Sequence, residues 1–264
     1  MAAGIPLLAP QLAQGTGEDA AYRHSDLSDA ESRHFWFVGR SRLIAWALAA
    51  YFPGARSFLD VGCGTGGVER AIHDQHPTLR IVASDVLLAG LTIAHARVPR
   101  VEFVQLDIRA MPYEAEFDVA GAFDVIEHLD DDGQVLREMH RVTVPGGGVI
   151  VTVPQHRWLW SAVDEFSQHR RRYSRAELAE RLGAAGFRVE RITSFMTFVL
   201  PLLALARLRK QKVAELDPAA ELALGPVANA LLGAMCYLEA TLIRFGLSFP
   251  VGGSLLAIAR RADS

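Results

Sequence analysis

The sequence predicts an α/β fold in which a mainly parallel, doubly wound sheet carries helices on both faces. Two observations support this prediction. Short apolar runs alternate with helix-like segments from residue 57 to residue 153, which is typical of βαβ units. Glycines cluster directly after the first apolar run, where such folds turn from a strand into a helix. Because crossovers between parallel strands are right-handed, we expect helices on both faces of the sheet.

Each element is predicted from its apolar pattern and from the turn residues that bound it. The predicted strands are Ser57–Val61, Arg80–Ser84, Val101–Gln105, Phe117–Ala122, Gly148–Val153, Phe187–Thr193 and Leu255–Ala259. The predicted helices are Asp29–Tyr51, Gly66–His76, Leu87–Arg97, Asp131–Val142 and Ser174–Ala185. Residues 1–27 are predicted to be a loose arm. The chain therefore divides into an N-terminal arm and helix (1–54), a core (55–194), an apolar helical insert (195–247) and a C-terminal strand segment (248–264).

Composition narrows the class of protein. Half of the 264 residues are hydrophobic, which is enough for one substantial core. The formal net charge is −3, and this argues against nucleic acid as a partner because duplex binding needs a strongly basic face. The two cysteines, Cys63 and Cys236, form neither a disulfide framework nor a CxxC zinc motif, which favours a reducing, cytoplasmic compartment.

The glycine loop has a spacing that two classes of cofactor site share. Gly62, Gly64 and Gly67 satisfy the dinucleotide pattern GxGxxG, so a nicotinamide-dependent oxidoreductase is one alternative. Asp60 favours S-adenosylmethionine instead, because a carboxylate repels a pyrophosphate and attracts the cationic amine of the methionine part. Gly66 adds a third glycine at alternate spacing, giving Gly-Cys-Gly-Thr-Gly.

Acidic residues also follow the second and third predicted strands. Asp85 ends the second strand, where a carboxylate can accept both ribose hydroxyls. Asp107 follows the third strand, where it can accept a hydrogen bond from an adenine amino group. Because the carboxyl ends of parallel strands meet at one edge of the sheet, Asp60, Asp85 and Asp107 are expected along one crevice.

These segments resemble the class I S-adenosylmethionine-dependent methyltransferases, in the type 11/type 12 domain group of small-molecule enzymes. The resemblance covers residues 55–155 closely, through FLDVGCGTG (58–66), ASD (83–85), QLDI (105–108) and FDVIEHL (123–129). It implies a Rossmann-like, seven-stranded sheet with an antiparallel last strand, which Leu255–Ala259 is expected to form. It also implies S-adenosylmethionine as cofactor, bound by Asp60, Gly62, Cys63, Gly64, Asp85, Val86, Asp107, Ile108 and Phe123.

The segment after the fourth strand is predicted to act on the acceptor. His128 is the first candidate for a general base, with Glu127 orienting it, and His169 is a second candidate. In the alternative interpretation, Glu127 and His128 only cap the following helix. A weaker alternative is a metal site, because Asp124, Glu127 and His128 resemble the Glu-x-x-Glu-His triplet of ubiquinone-pathway O-methyltransferases; otherwise no metal is predicted.

Four further residues are predicted to contact the acceptor: Trp36, His156, Arg172 and Tyr173. The run Arg170–Arg172 suits an anionic acceptor group. The competing interpretations are a core aromatic for Trp36 and a solvated basic loop for the arginines.

The insert is expected to be helical and to bind something apolar. Phe195–Ala206 is apolar and is followed by Arg207, Arg209, Lys210 and Lys212, a pattern that favours an anionic membrane surface contacted through residues 195–212. A homodimer interface and a cap over the core are the alternatives.

The sequence therefore predicts O-methylation of a small-molecule or lipid-like acceptor by a cytoplasmic protein, peripheral at the inner face of the membrane. A non-catalytic S-adenosylmethionine-binding protein is the remaining rival.

Overall fold

The computed structural model describes residues 1–14, 24–207 and 223–262. Its centre is a seven-stranded sheet in the order β3-β2-β1-β4-β5-β7-β6, with β7 antiparallel to both of its neighbours and the other pairings parallel. The strands are β1 (Ser57–Val61), β2 (Arg80–Asp85), β3 (Glu102–Gln105), β4 (Phe117–Phe123), β5 (Thr143–Pro154), β6 (Phe187–Phe195) and β7 (Ser254–Arg261). The predicted doubly wound, seven-stranded architecture with an antiparallel last strand is thus confirmed.

Helices cover both faces of this sheet. They are α1 (His24–Arg33), α2 (Phe35–Tyr51), α3 (Gly67–Gln75), α4 (Leu88–Arg97), α5 (Asp132–Val142), α6 (Ala162–Phe166), α7 (Arg175–Ala184), α8 (Leu200–Arg207) and α9 (Pro226–Arg244). The single helix predicted over Asp29–Tyr51 is wrong in one respect, because the backbone is extended at His34 and divides it into α1 and α2. The ring Nδ1 of His34 accepts a hydrogen bond from the N–H of Trp36 at 3.4 Å and so caps α2.

Successive side chains of the central strands enter two separate cores. In β1, Phe58 packs with α2 and α3, whereas its neighbour Leu59 packs with α5 and α7 on the other face. This follows from the two-residue period of a strand. Because both faces are buried, Phe58, Leu59 and Val61 are apolar, and Asp60 near the carboxyl end is the one polar residue among the four buried positions of the strand.

The N-terminal segment differs from its prediction. Residues 1–14 are not a loose arm, because Leu7 forms a parallel bridge with Gln105 at the end of β3. The Gln105 side chain also accepts from the N–H of Ala9 at 3.1 Å and donates to the Ala9 carbonyl at 2.8 Å. Ile5 is buried as well. The segment therefore covers the outer edge of the sheet and satisfies part of β3's exposed backbone.

The insert is rooted at the carboxyl edge of the sheet. β6 runs parallel to β5 and ends at Phe195, and β7 begins at Ser254; both Phe195 and Pro154 are paired with Ser254. Since ligands bind at the carboxyl edge in folds of this kind, α8 and α9 depart from and return to the ligand side. α9 packs against α2. The predicted helical character of the insert is confirmed for its described residues.

Candidate functional site

The loop between β1 and α3 contains three glycines with left-handed backbone angles. Their φ values are +87° at Gly62, +56° at Gly64 and +84° at Gly66. A Cβ atom at Gly62 would lie 2.6 Å from Cγ2 of Val125, so space as well as φ requires glycine there. At Gly64 a Cβ atom would meet no other atom within 4 Å. The loop therefore faces open space, where a ligand can approach the main chain closely.

Asp85 ties this loop to the end of β2. One of its carboxylate oxygens accepts from the N–H of Gly64 at 2.9 Å, and the other accepts from the N–H of Leu87 at 2.9 Å. The N–H of Cys63 donates to the Ser84 carbonyl, also at 2.9 Å. The predicted ribose acceptor thus lies directly beside the predicted methionine-end loop, as the sequence led us to expect.

A buried carboxyl pair lies under the loop. Asp60 and Glu69 are both inaccessible to solvent, and each carboxyl group shifts the pKa of the other. Burial raises the pKa of Asp60 to about 6, and burial together with the charge of Asp60 raises the pKa of Glu69 well above its usual range. Oδ1 of Asp60 has no hydrogen-bond partner among the described residues. This acceptor suits the cationic amine of a bound methionine moiety.

Replacing Glu69 with glutamine tests how the two buried carboxyl groups affect each other's pKa. Because folding raises both pKa values, the pair stabilises the fold while protonated and loses that contribution as the pH rises through about 6. Glutamine keeps the size of the side chain and removes one ionisable carboxyl group. We expect the unfolding free energy of the unmodified protein, measured by urea denaturation, to fall between about pH 5 and about pH 7.5. In Glu69→Gln this fall should be smaller by about 1–3 kcal/mol. The exposed Glu114→Gln is the control, and parallel pH curves for Glu69→Gln and the unmodified protein would contradict the pairing.

The third acidic residue lies at the other end of the crevice. Asp107 forms a forked ion pair with Arg109, with N–O distances of 2.8–3.2 Å, and this hydrogen bonding holds the pKa of the Asp107 carboxyl below its usual range. Ile108 follows it in a half-buried position. The Val86 carbonyl accepts from the side chain of Gln105 at 3.0 Å, which fixes the turn after β2. Adenine binding by Asp107 and Ile108 stays a prediction.

The end of β4 is anchored to α2. Asp124 has a φ of +57° and forms an ion pair with Arg40, which is almost entirely buried. The guanidinium of Arg40 lies 4.7 Å from the centre of the Trp36 ring. Phe123 is buried and stacks on Phe58, with ring centres 6.4 Å apart. Trp36 therefore supports the arginine that holds the strand end, and its predicted contact with an acceptor is untested.

Two histidines and a carboxylate meet beyond this strand end. The ligand atoms of Glu127, His128 and His169 all lie within 4.8 Å of one another, and the two imidazole centres are 4.7 Å apart. Glu127 is fully buried with no partner for either carboxylate oxygen among the described residues, whereas His128 is exposed. Asp124 lies outside this group and pairs with Arg40, and the metal site predicted from Asp124, Glu127 and His128 stays a prediction.

His169 is held in place by a buried polar network. Its Nδ1 lies 2.9 Å from Oδ1 of Asp164, whose carboxylate accepts from Arg172 at 2.7 and 3.0 Å and from the Ser161 N–H at 2.9 Å. Burial alone would raise the pKa of Asp164, but the hydrogen bonds from His169 and Arg172 hold it far below its usual range. The carboxylate therefore stays ionised and orients His169, leaving Nε2 for other partners.

The predicted acceptor residues of the 156–173 segment divide into two groups. Arg172 and Tyr173 are buried, and the Tyr173 hydroxyl donates to Asp132 at 2.7 Å, so both side chains are engaged inside the protein. His156 is half-exposed, with its ring 5.5 Å from that of Trp158. Of these residues, His156 thus lies near the surface, whereas Arg172 and Tyr173 form hydrogen bonds inside the protein.

One contributor to the site was missed in the sequence. Glu31 of α1 accepts from the Thr65 hydroxyl at 2.6 Å and from Arg97 at 2.5 Å, and so lies against the glycine loop. Nothing in the local pattern of α1 indicates this contact, because Glu31 and Thr65 are 34 positions apart and meet only in the folded chain.

Comparison with known proteins gives a consistent result. A family model described as a methyltransferase domain matches residues 29–192, more than half of the chain. A probable S-adenosylmethionine-dependent methyltransferase of Mycolicibacterium smegmatis is 33% identical over 160 residues, which are 60% of this chain and 61% of that protein. The malonyl-acyl-carrier-protein O-methyltransferase of Pseudescherichia vulneris is 33% identical over 135 residues, which are 48% of this chain and 53% of that protein. The matches thus span roughly half to three-fifths of the length of these relatives.

Solved structures agree in fold. A methyltransferase in complex with the Haloferax volcanii activator Trm112 superposes with a TM-score of 0.61 at 20% identity, covering 93% of this chain and 97% of that one. Phosphoethanolamine N-methyltransferase 2 of Haemonchus contortus, in complex with S-adenosyl-L-methionine, gives 0.54 at 19% identity, covering 82% of this chain and 51% of that one. At such low identity these likenesses show the fold alone.

The residues present fit the cofactor. The loop is open at Gly64, Asp60 offers an unpartnered oxygen and Asp85 ends the adjacent strand, all at one edge of the sheet. The family match names methyl transfer rather than hydride transfer, so the nicotinamide alternative is set aside. The chain belongs to the methyltransferase-domain family, and its seven-stranded sheet is the fold of class I S-adenosylmethionine-dependent methyltransferases.

Proposed function

We propose that this protein transfers the methyl group of S-adenosylmethionine to an oxygen atom of a small, lipid-like acceptor at the inner face of the cytoplasmic membrane. The observation that carries the proposal is an exposed apolar surface on the insert, which is rooted at the ligand edge of the sheet. We call it the insert surface. Its exposed members are Leu202, Leu205, Leu224, Val227, Leu231, Leu238, Phe245 and Leu247.

The insert surface follows the solvent side of α9. Val227, Leu231 and Leu238 are 72%, 63% and 54% exposed and recur at helical spacing, so they share one face. The solvent-facing side of a surface helix in a water-soluble protein normally carries charged or polar side chains. Clustered exposed apolar side chains of this kind mark an interaction site. The position beside the cofactor edge favours an acceptor that is itself apolar.

α9 is better suited to lying on a membrane than to crossing one. By length and composition alone its 19 residues could cross a bilayer, with a mean hydropathy of 1.4 over an 18-residue window that is 17% buried. However, its other face is fixed to the core through the buried residues Cys236, Glu239 and Ile243. The Glu239 carboxylate accepts from the N–H groups of Thr197 and Phe198 at 2.7 and 2.9 Å. These bonds favour an interfacial orientation.

Of the cations near the insert, Arg244 supports an orientation of α9 along the membrane surface. Arg244 ends α9 and is exposed next to Phe245, as is common for helices at a lipid headgroup layer. The predicted membrane contact through 195–212 relied on Arg207, Arg209, Lys210 and Lys212. The last three lie outside the described residues, and the side chain of Arg207 is not described either.

The site chemistry supports oxygen as the acceptor atom. When bound, S-adenosylmethionine supplies an activated methyl group on a sulfonium. The chain itself must orient the acceptor and remove its proton, and a neutral histidine suits that task. His128 is exposed at the strand edge beside His169, which Asp164 orients. The Pseudescherichia vulneris relative is an O-methyltransferase by name, which is consistent with this choice.

Vesicle flotation tests the membrane part of the proposal. We expect the protein to float with anionic vesicles, and the double substitution Leu231→Glu with Leu238→Glu to reduce the bound fraction about tenfold or more, because two charges would enter the apolar layer. Leu8→Glu is the matched control, since Leu8 is 53% exposed but lies outside the insert. Unchanged S-adenosylhomocysteine affinity in all variants shows intact folding.

Two results would overturn the proposal. The first is no vesicle binding, together with a dimer that the Leu231/Leu238 variant dissociates, because the insert surface would then be a contact between copies. The second is transfer of radioactive methyl from labelled S-adenosylmethionine into only the water-soluble fraction of a cell extract. Label recovered in the lipid fraction, and lost with the variant, supports it.

A further inference from the structure

We propose that the methyltransferase has a binding site for a phosphate or diphosphate group, formed by Arg157, Arg170 and Arg181 beside Trp160. This inference rests on the proposed function and specifies the polar end of the acceptor. We call this site the arginine pocket. Its cavity has a volume of about 480 Å³ and is lined by Arg157, Trp160, Arg170, Arg171, Arg172 and Arg181.

The arginine pocket is distinct from the cofactor cradle in its charge. Five of its six lining residues are arginines, whereas the cradle contains Asp60 and Asp85. An arginine guanidinium offers several N–H donors in a planar fork that matches phosphate oxygens, and several such forks around one cavity suit a multiply charged anion. The cavity is large enough for a diphosphate rather than only a single small ion.

The ion pairs divide the five arginines into fixed and available groups. Arg172 is bound to buried Asp164, and Arg171 lies 3.2 Å from buried Asp132, so these two form the wall of the pocket. Arg181 also pairs with Asp132 but is 44% exposed. One carboxylate, that of Asp132, therefore pairs with two guanidinium groups, so one of the two positive charges of Arg171 and Arg181 is not neutralised by it.

The two remaining arginines have weak partners. Arg157 pairs with Glu177 at 2.7 Å with side chains 78% and 40% exposed, and Arg170 pairs with Asp130 at 3.5 Å with side chains 55% and 90% exposed. Exposed ion pairs like these contribute little to stability. A phosphate group can therefore replace the carboxylates as hydrogen-bond partner of Arg157 and Arg170 without a large loss.

The pocket lies between the candidate base and the insert. The N–H of Arg170 donates to the Glu127 carbonyl at 2.7 Å, which places one rim beside Glu127 and His128. The turn Arg157–Leu159 on the other rim packs against α8, whose Leu202 and Leu205 belong to the insert surface. An acceptor with a phosphate at one end and an apolar chain at the other matches this order of surfaces.

Titration calorimetry with inorganic pyrophosphate, and separately with inorganic phosphate, tests the site on the intact protein. We expect pyrophosphate to bind, and Arg157→Ala and Arg170→Ala each to weaken it about fivefold or more. Arg170→Lys should fall in between, because it keeps the charge and loses the fork. Arg188→Ala is the matched control, being an exposed arginine paired with an acid, Glu190, on β6 rather than in this pocket.

A vesicle arm distinguishes a lipid phosphate from a free one. Phosphatidylcholine vesicles containing phosphatidic acid should bind more tightly than vesicles of the same charge made with phosphatidylglycerol, and Arg170→Ala should remove the difference if the ligand is a lipid phosphomonoester. Pyrophosphate binding without this preference assigns the pocket to a soluble phosphate compound.

The inference is overturned if about 1 mM pyrophosphate shows no binding, or if Arg188→Ala weakens binding as much as Arg157→Ala, since the effect would then be nonspecific charge. Because this readout needs neither membrane nor methyl transfer, it is separable from the proposed function. Loss of vesicle flotation with normal, arginine-dependent pyrophosphate binding contradicts the membrane proposal alone.

Discussion

Replacing Asp164 with alanine is expected to lower the unfolding free energy by about 3–5 kcal/mol, because it leaves a buried guanidinium without its counter-ion. Asp164 is wholly buried and accepts two hydrogen bonds from Arg172, one from the Ser161 N–H and one at His169. Urea denaturation at neutral pH measures the change. Asp29→Ala, at an ion pair on α1 that is about 80% exposed, is the control, with an expected change below about 1 kcal/mol.

The same network gives the sign of an acid effect. Because folding lowers the pKa of Asp164, its contribution is present above its ordinary pKa and is lost as the pH falls below it. The Asp164→Ala protein should therefore lose less stability than the unmodified protein when the pH is lowered from about 5 to about 3. A loss of unfolding free energy no larger than that of Asp29→Ala at neutral pH would show that the network is not a stabilising unit.

Replacing Asp85 with alanine is expected to weaken the binding of S-adenosylhomocysteine by about 100-fold, with little change in global stability. Two effects combine. The variant lacks the carboxylate predicted to accept the ribose hydroxyls, and hydrogen bonds to a charged group contribute about 1.5–3 kcal/mol. It also frees the N–H groups of Gly64 and Leu87, so the glycine loop is no longer tied to β2.

Isothermal titration calorimetry checks this second prediction. Asp85→Asn should retain more affinity than alanine, because an amide oxygen still accepts while the charge is lost. Asp74→Ala serves as the control, since Asp74 is an exposed residue of α3. Equal affinity of the Asp85→Ala and Asp74→Ala proteins for S-adenosylhomocysteine would remove Asp85 from the cofactor site.

The conformation of the glycine loop and the positions of the acidic strand ends were predictable because their signals are local in sequence. The glycines between β1 and α3 are required by backbone conformation, and the predicted strand Ser57–Val61 has the same bounds in the structure. Asp85 ends its strand, and parallel strands carry their carboxyl ends to one edge. The position of a residue at the end of a strand can thus be predicted before the fold is known.

The acceptor side was less predictable because its contacts are distant in sequence. Arg172 and Tyr173 look like exposed loop residues in the sequence, yet Asp164 and Asp132 draw them into the interior. The partner of Asp124 is Arg40 of α2, which lies 84 positions away in the sequence. Such pairings depend on how helices and loops pack on the sheet, which no local pattern of residue types specifies.

By itself, the sequence determined the α/β fold class, the glycine loop and the acidic residues at the strand ends, because period-two burial and backbone conformation act over a few residues. Tertiary structure alone decided the burial of Asp60 beside Glu69, the convergence of the pocket arginines and which face of α9 is left exposed. Each of these depends on removing groups from water next to particular neighbours, and burial exists only in the folded chain.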